Sequence, residues 1–313
     1  MVQNNDKGYA LITGATSGIG YELCKLFASD GYNIAIVARS EERLQQVADE
    51  IRDKYNVLVY PLAKNLFKRE AAAEIFDELK KNNFLITALV NDAGQGEYGF
   101  FTETELEREI DIIQLNIISL VSLTKYFLKD MVTRNDGKIL NLASLVADYP
   151  SPLLAVYAAT KAFVLSFTEA LVNELQDTNV TITALQPGVT DTDFFYKAGE
   201  DETMHYQEME LSDPAKVAAD GYRALMKGKG KVVSGTKNKI QSLMSNLMPE
   251  TKLAASMRRQ NSLADEIKRK ESGHEASKKE RDMIQASSNT YRGRDLASDY
   301  DTREPVSEGP GMS

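Results

Sequence analysis

Cysteine is almost absent from this chain: of 313 residues, Cys24 alone carries a thiol. An internal disulfide is therefore excluded, and the composition suits a reducing compartment. Cys24 itself reads as a small buried hydrophobe. Histidine is scarce too. His205 and His274 stand far apart, so no metal-ligand cluster is expected. Positive charge is not in excess: the formal net charge is −9, the wrong sign for a broad nucleic-acid surface, although a local basic pocket stays open. No uninterrupted run reaches the roughly 18 apolar residues of a membrane span. The first residues lack the apolar core of a signal peptide, so the expected address is the cytoplasm.

What is present is enough for a large core, with 42% hydrophobic and 27% charged residues. Short apolar runs at 9–13, 33–38, 57–62, 86–91, 138–142 and 181–186 alternate with segments of helical period, such as Ile19, Leu23 and Phe27 closed by Gly31. Continuous apolar strands separated by helices predict a parallel sheet covered on both faces. With right-handed crossovers this is an α/β, doubly wound, Rossmann-type domain over residues 1–236. A further helix is expected from Pro214 and a last strand at 231–234. Residues 237–260 read as an amphipathic helical extension, with Ile240, Leu243, Met244, Leu247 and Met248 on one stripe. That stripe would pack on its own domain, on a second subunit or on a membrane surface. Residues 261–313 are highly charged with few large apolar side chains, and are expected to form a disordered tail.

Two strand ends carry a ligand signature. Gly14, Thr16, Ser17, Gly18, Ile19 and Gly20 lie between an apolar strand and a helix. Gly14 would let the chain turn off the strand, Gly18 would let backbone approach a pyrophosphate, and Gly20 would allow close helix–strand packing. The helix N-terminus would then offer N–H groups to phosphate. At the end of the second strand stand Arg39 and Ser40 rather than an acidic residue. That pair suits a 2′-phosphate, hence NADP rather than NAD.

Taken together, these residues resemble the short-chain dehydrogenase/reductase family over roughly residues 8–236. The Thr13-to-Gly20 turn is similar to its cofactor signature. Asn91-Asp92-Ala93-Gly94 resembles its Asn-Asn-Ala-Gly motif, with Asp92 replacing the second Asn. Asn116, Ser144, Tyr157, Lys161 and Pro187-Gly188 follow in the family's order. Where the family has an Asp after the third strand, this chain has Asn65-Leu66, a hydrogen-bonding side chain without the charge. The resemblance implies that Asn65, Leu66, Asn91, Ala93 and Gly94 serve the cofactor, that the Val189 and Thr190 backbone meets the nicotinamide amide, and that Asn116 holds a water linking Lys161 to solvent. It also implies that Lys161 holds ribose hydroxyls, and that the chain forms a homodimer or homotetramer.

The chemistry has its own logic. Free tyrosine, with a pKa of about 10, is a poor acid at neutral pH, and a nearby cation favours its phenolate. Tyr157 and Lys161 are four apart in a segment with helical period, so they share one face. Tyr157 is the expected general acid/base, Lys161 its pKa-lowering partner, and Ser144, at a strand's carboxyl end, the group that orients the substrate oxygen. The expected reaction is NADP(H)-dependent interconversion of a carbonyl and an alcohol in an apolar or bulky small-molecule substrate. A cofactor-sensing regulator or scaffold without turnover is the alternative. The segment around Phe194 and Phe195, through Met204 and Tyr206, is either a substrate lid or a core anchor.

Overall fold

Apolar runs become strands and 3.6-period segments become helices, alternating along the chain as far as the last strand. The computed structural model describes residues 7–192, 194, 211–245 and 250–261. The first half runs β1 (Tyr9–Thr13), α1 (Gly18–Ser29), β2 (Asn33–Ala38), α2 (Glu41–Tyr55), β3 (Val59–Ala63), α3 (Ala71–Lys81) and β4 (Ile86–Asn91). Next come α4 (Leu106–Ile113), a π-helical segment (Gln114–Ser119) and α5 (Leu120–Arg134). They are followed by β5 (Gly137–Leu142), a 3-10 turn (Leu145–Asp148), α6 (Ala155–Glu174) and β6 (Val180–Gln186). The chain then forms α7 (Pro214–Met226), β7 (Lys231–Val233), α8 (Thr236–Ser245) and α9 (Glu250–Asn261). The expected disordered tail lies outside the described residues, apart from Asn261.

The strands form one parallel sheet in the order β3-β2-β1-β4-β5-β6-β7. Both faces are covered, which the side-chain period of two makes possible. Ala10 and Ile12 of β1 pack with Leu23, Phe27, Leu44 and Val217 of α1, α2 and α7. Leu11, between them, packs on the other side with Ile75, Leu79, Leu123 and Phe127 of α3 and α5. Strand order reverses between β1 and β4. At such a switch point two neighbouring crossovers leave in opposite directions and open a crevice at the strands' carboxyl ends. The doubly wound α/β expectation is met.

Details differ at the element ends. β3 begins at Val59 rather than 57, because Asn56, in the left-handed region at φ 53, ends α2 and the Leu58 N–H goes to Asn33 Oδ1 at 3.0 Å. The helical stretch after β4 starts at Leu106 and contains the π-helical segment around Asn116. Pro214 does open α7, behind an Asp213 side chain that accepts the Ala215 N–H at 2.8 Å. Although no uninterrupted apolar run is long enough for a bilayer, the stretches Leu106–Arg134 and Ala155–Glu174 each contain an 18-residue window of mean hydropathy 1.3. Their apolarity has a use inside the fold: Leu123 and Phe127 of α5, with Val164 and Leu165 of α6, are buried in core clusters with sheet residues.

Candidate active site

The crevice at the switch point is built from strand ends. Thr13, the last residue of β1, accepts the Asp92 and Ala93 N–H groups on its Oγ1, both at 3.1 Å, and donates to Val90 O at 3.2 Å. One hydroxyl thus joins the ends of β1 and β4. In the sequence, Thr13 is signalled as a site residue only by its place just before Gly14, at the end of an apolar strand. Gly14 leaves the strand at φ +71, and Gly18 opens α1 at φ +56, a region that disfavours any Cβ. A Cβ on Gly20 would lie 2.6 Å from Gly14 O and 2.5 Å from Asp92 Oδ2, so only glycine seats α1 this close. Ser17 stands at the N-cap without a side-chain capping bond. Gly18 and Ile19 line the cleft at the start of α1, where the first N–H groups have no helical acceptor. That cradle, which side chains would fill, fits a pyrophosphate.

Farther along the same cleft lie Ser144, Tyr157 and Lys161. Ser144 is buried at the end of β5, where its Oγ accepts the Val146 N–H at 3.3 Å and its carbonyl accepts Gln186 Nε2 at 3.2 Å. Tyr157 and Lys161 sit one turn apart on α6, with Nζ 5.8 Å from the centre of the phenol ring. Lys161 is buried and donates to Leu142 O at 2.8 Å. Burial lowers its pKa to about 8, against the opposing charge of Asp92. Asp92, where the family motif has Asn, shows the mirror effect: burial pushes its carboxyl up to about 7, although Lys161 and the Gly20 N–H pull it down.

Most of the expected cofactor residues meet in this cleft of about 420 Å³: Gly14 and Thr16 to Ile19 at one end, Arg39, Ser40 and Leu66 beside them, then Ala93 and Gly94, and Pro187 to Thr190. Four expected site residues are not among its lining. Gly20 packs beneath it. Asn65 is exposed, its Oδ1 accepting the Phe67 N–H at 3.1 Å, so its side chain serves a local turn. Asn91 is buried in the sheet, donating to Thr124 Oγ1 and Asn141 Oδ1. Asn116 spends its carboxamide on protein groups, pairing with both the N–H and carbonyl of Gln95 and donating to Thr160 Oγ1 at 3.0 Å. It bridges the π-helical segment, the loop after β4 and α6, behind Gly94.

At the end of β2, Arg39 is exposed, with its guanidinium 5.3 Å from the centre of the Phe67 ring. Ser40 caps α2, accepting the Arg43 N–H at 3.3 Å. A second arginine that sequence reading passed over, Arg43, donates from Nε to Thr16 O at 3.4 Å and so leans on the glycine turn. In the expected lid only Phe194 is described; its ring centre lies 5.0 Å from that of Tyr157. Phe195, Met204 and Tyr206 lie outside the described residues. Cys24, on the buried face of α1, sits in the core, and burial raises its thiol pKa.

A sequence model of the family described as short chain dehydrogenase matches residues 8–203, which hold the glycine turn and all three catalytic candidates. The chain belongs to the short-chain dehydrogenase family. Among its relatives, a very-long-chain 3-oxoacyl-CoA reductase of Anas platyrhynchos is 36% identical over 57% of this chain and 58% of that protein. A short chain dehydrogenase of Pseudocercospora fijiensis is 34% identical over 59% of this chain. The match spans 60% of that relative's length. Among solved structures, serine dehydrogenase complexed with NADP+ is 29% identical, with a TM-score of 0.64 over 72% of this chain and 93% of that one.

Proposed function

We propose that this family member interconverts a carbonyl and an alcohol with NADP(H). The observation that carries the reading is the single cleft joining the glycine turn to Ser144, Tyr157 and Lys161. A bound nicotinamide would supply or receive the hydride. Pro187 to Thr190 would flank the nicotinamide, and Gly18 and Ile19 would meet the pyrophosphate. The Ser144 hydroxyl, fixed by the 3-10 turn, donates a hydrogen bond to the substrate oxygen and orients it. Tyr157 hands its proton to that oxygen in reduction and takes it back in oxidation. The Lys161 ammonium, one helical turn away, favours the phenolate. NADP is favoured over NAD by Arg39, an exposed cation at the end of β2, with Arg43 as a second cation beside the glycine turn. The NADP+ complex of a 29% identical relative is in keeping with this choice.

The decisive experiment follows NADPH oxidation over a panel of carbonyl compounds. Tyr157→Phe is expected to lower kcat by about 10²–10⁴-fold while NADPH still binds. Equal rates in variant and wild type would reject Tyr157 as the acid. A wild type that binds NADPH but reduces nothing would point to a sensor.

A further inference from the structure

The two helices beyond the last strand both reach the cleft, α8 through Asn238 and Gln241 and α9 through Met257. α8 is anchored through buried Ser242, whose hydroxyl donates to the Asp148 carboxylate. Asp148 ends the 3-10 turn that follows Ser144, and also accepts Gln186 Nε2 at 2.9 Å. On the same helix Gln241 Nε2 reaches the Tyr149 hydroxyl at 3.4 Å. In α9, Leu253 and Met257 are buried against Leu145 and Tyr149. Arg258, one residue on, places its guanidinium 5.8 Å from the centre of the Phe100 ring. α9 therefore runs from the turn after Ser144 to the loop before α4.

The cleft thus has two chemically different ends. One holds the glycine turn, Arg39 and Ser40. The other is lined by Tyr149, Leu154, Phe194 and Met257, with the Gln241 carboxamide beside them. Ser144 and Tyr157 lie on this cleft too, so a carbonyl held by them directs one of its substituents toward the second end. An aromatic and aliphatic lining offers that substituent hydrophobic burial, not charge pairing. Methionine, unbranched and with three rotatable bonds, adapts to several shapes of occupant.

We infer that α8 and α9 form the substrate-side wall of the cleft, and that Met257 selects ketones bearing an apolar chain or ring on one side of the carbonyl. This rests on the proposed function, since it takes the reacting carbonyl to sit between Ser144 and Tyr157. Each methylene buried against the wall should raise kcat/KM by roughly fourfold.

The test uses the full chain, NADPH and the methyl ketones from 2-butanone to 2-decanone. In wild type, kcat/KM should climb with chain length and level off before 2-decanone. Met257→Trp, which fills the wall, should lower the decanone-to-butanone ratio at least tenfold. Met257→Ala, which opens it, should move the best substrate to a longer chain. Opposite shifts from the two variants cannot come from misfolding. The same ratio in all three proteins overturns the assignment. If wild type reduces no ketone, the proposed function fails separately, and calorimetric titration of 2-decanone in the presence of NADPH reads the wall. Binding to wild type that is lost in Met257→Trp upholds it; no binding to wild type, or equal binding to both, overturns it.

Discussion

Lys161 and Asp92 are each held in a protonation environment that works against their charge, and each leaves a mark on the pH dependence of stability. The Asp92 pKa rises from 3.8 to about 7 on folding. Between those values the folded chain keeps a proton that the unfolded chain has lost, so stability falls as pH climbs through that window. Lys161 drops from 10.5 to about 8, so between those values the unfolded chain holds the extra proton. Its contribution therefore runs the other way, recovering as pH rises above 8. Asp92→Asn should melt near the wild-type temperature close to pH 4. It should then gain on wild type up to pH 8, by on the order of 1 kcal/mol or more, about 2–4 °C. Melts of the cofactor-free proteins across that range check this; a difference that does not change with pH refutes it. Arg39 is the other residue whose charge decides something. Arg39→Ala should weaken NADPH binding by about tenfold to a hundredfold, the range for a charge-assisted hydrogen bond, and NADH binding far less. Equal losses for the two cofactors would remove the 2′-phosphate assignment.

Among the elements, α1 and its entry turn matter most, because their close seating on β1 and β4 creates the cradle. Gly20 shows how tight that seating is: a methyl group there would meet backbone, the Gly14 carbonyl, which cannot rotate away as a side-chain tip can. Gly20→Ala should cost about 1–3 kcal/mol, as overpacking does, and weaken NADPH binding as α1 lifts. A melting temperature and affinity matching wild type would show that the turn is more yielding than its contacts imply. The π-helical segment is the second element with a local purpose. The extra residue per turn lies where Asn116 bonds to Gln95 and Thr160, tying three elements together behind the cleft. The sequence does not signal the π turn, because a single inserted residue shifts an apolar pattern too little to be noticed.

At the scale of the whole molecule, several large apolar side chains are left in solvent. Ile110, Ile118, Tyr126, Phe163 and Val172, from α4, the π-helical segment, α5 and α6, all stay exposed. Large apolar side chains on packed helices are expected to be covered by a second copy. Sedimentation at micromolar concentration should therefore give a dimer or tetramer, and Phe163→Glu should shift it toward monomer. A monomeric wild type would leave these side chains without a partner. Of the stripe expected on the C-terminal extension, Leu247, Met248 and the Met244 side chain lie outside the described residues. Ile240 and Leu243 are exposed, while Ser242, Leu253 and Met257 make the buried contacts. A helix pattern names the apolar face but not the neighbour, and here a hydroxyl bonded to Asp148 took the inward place.

Local and periodic features were legible before any coordinates: the alternating strands and helices, the glycine turn, and the i, i+4 spacing of Tyr157 and Lys161. Each depends on residues close in the chain, where backbone geometry alone decides what neighbours what. Family register added Ser144. What only tertiary structure decided were relations between distant segments. These are the Asp92 carboxylate wedged over Gly14 and Gly20, Asn91 and Asn116 turned to the scaffold, Arg43 leaning on Thr16, and the reach of Met257 into the cleft. In each, a polar group had several possible partners in the sequence. The choice followed from which strand ends and helices the sheet brought together, since a buried polar group takes whichever partner the packing supplies.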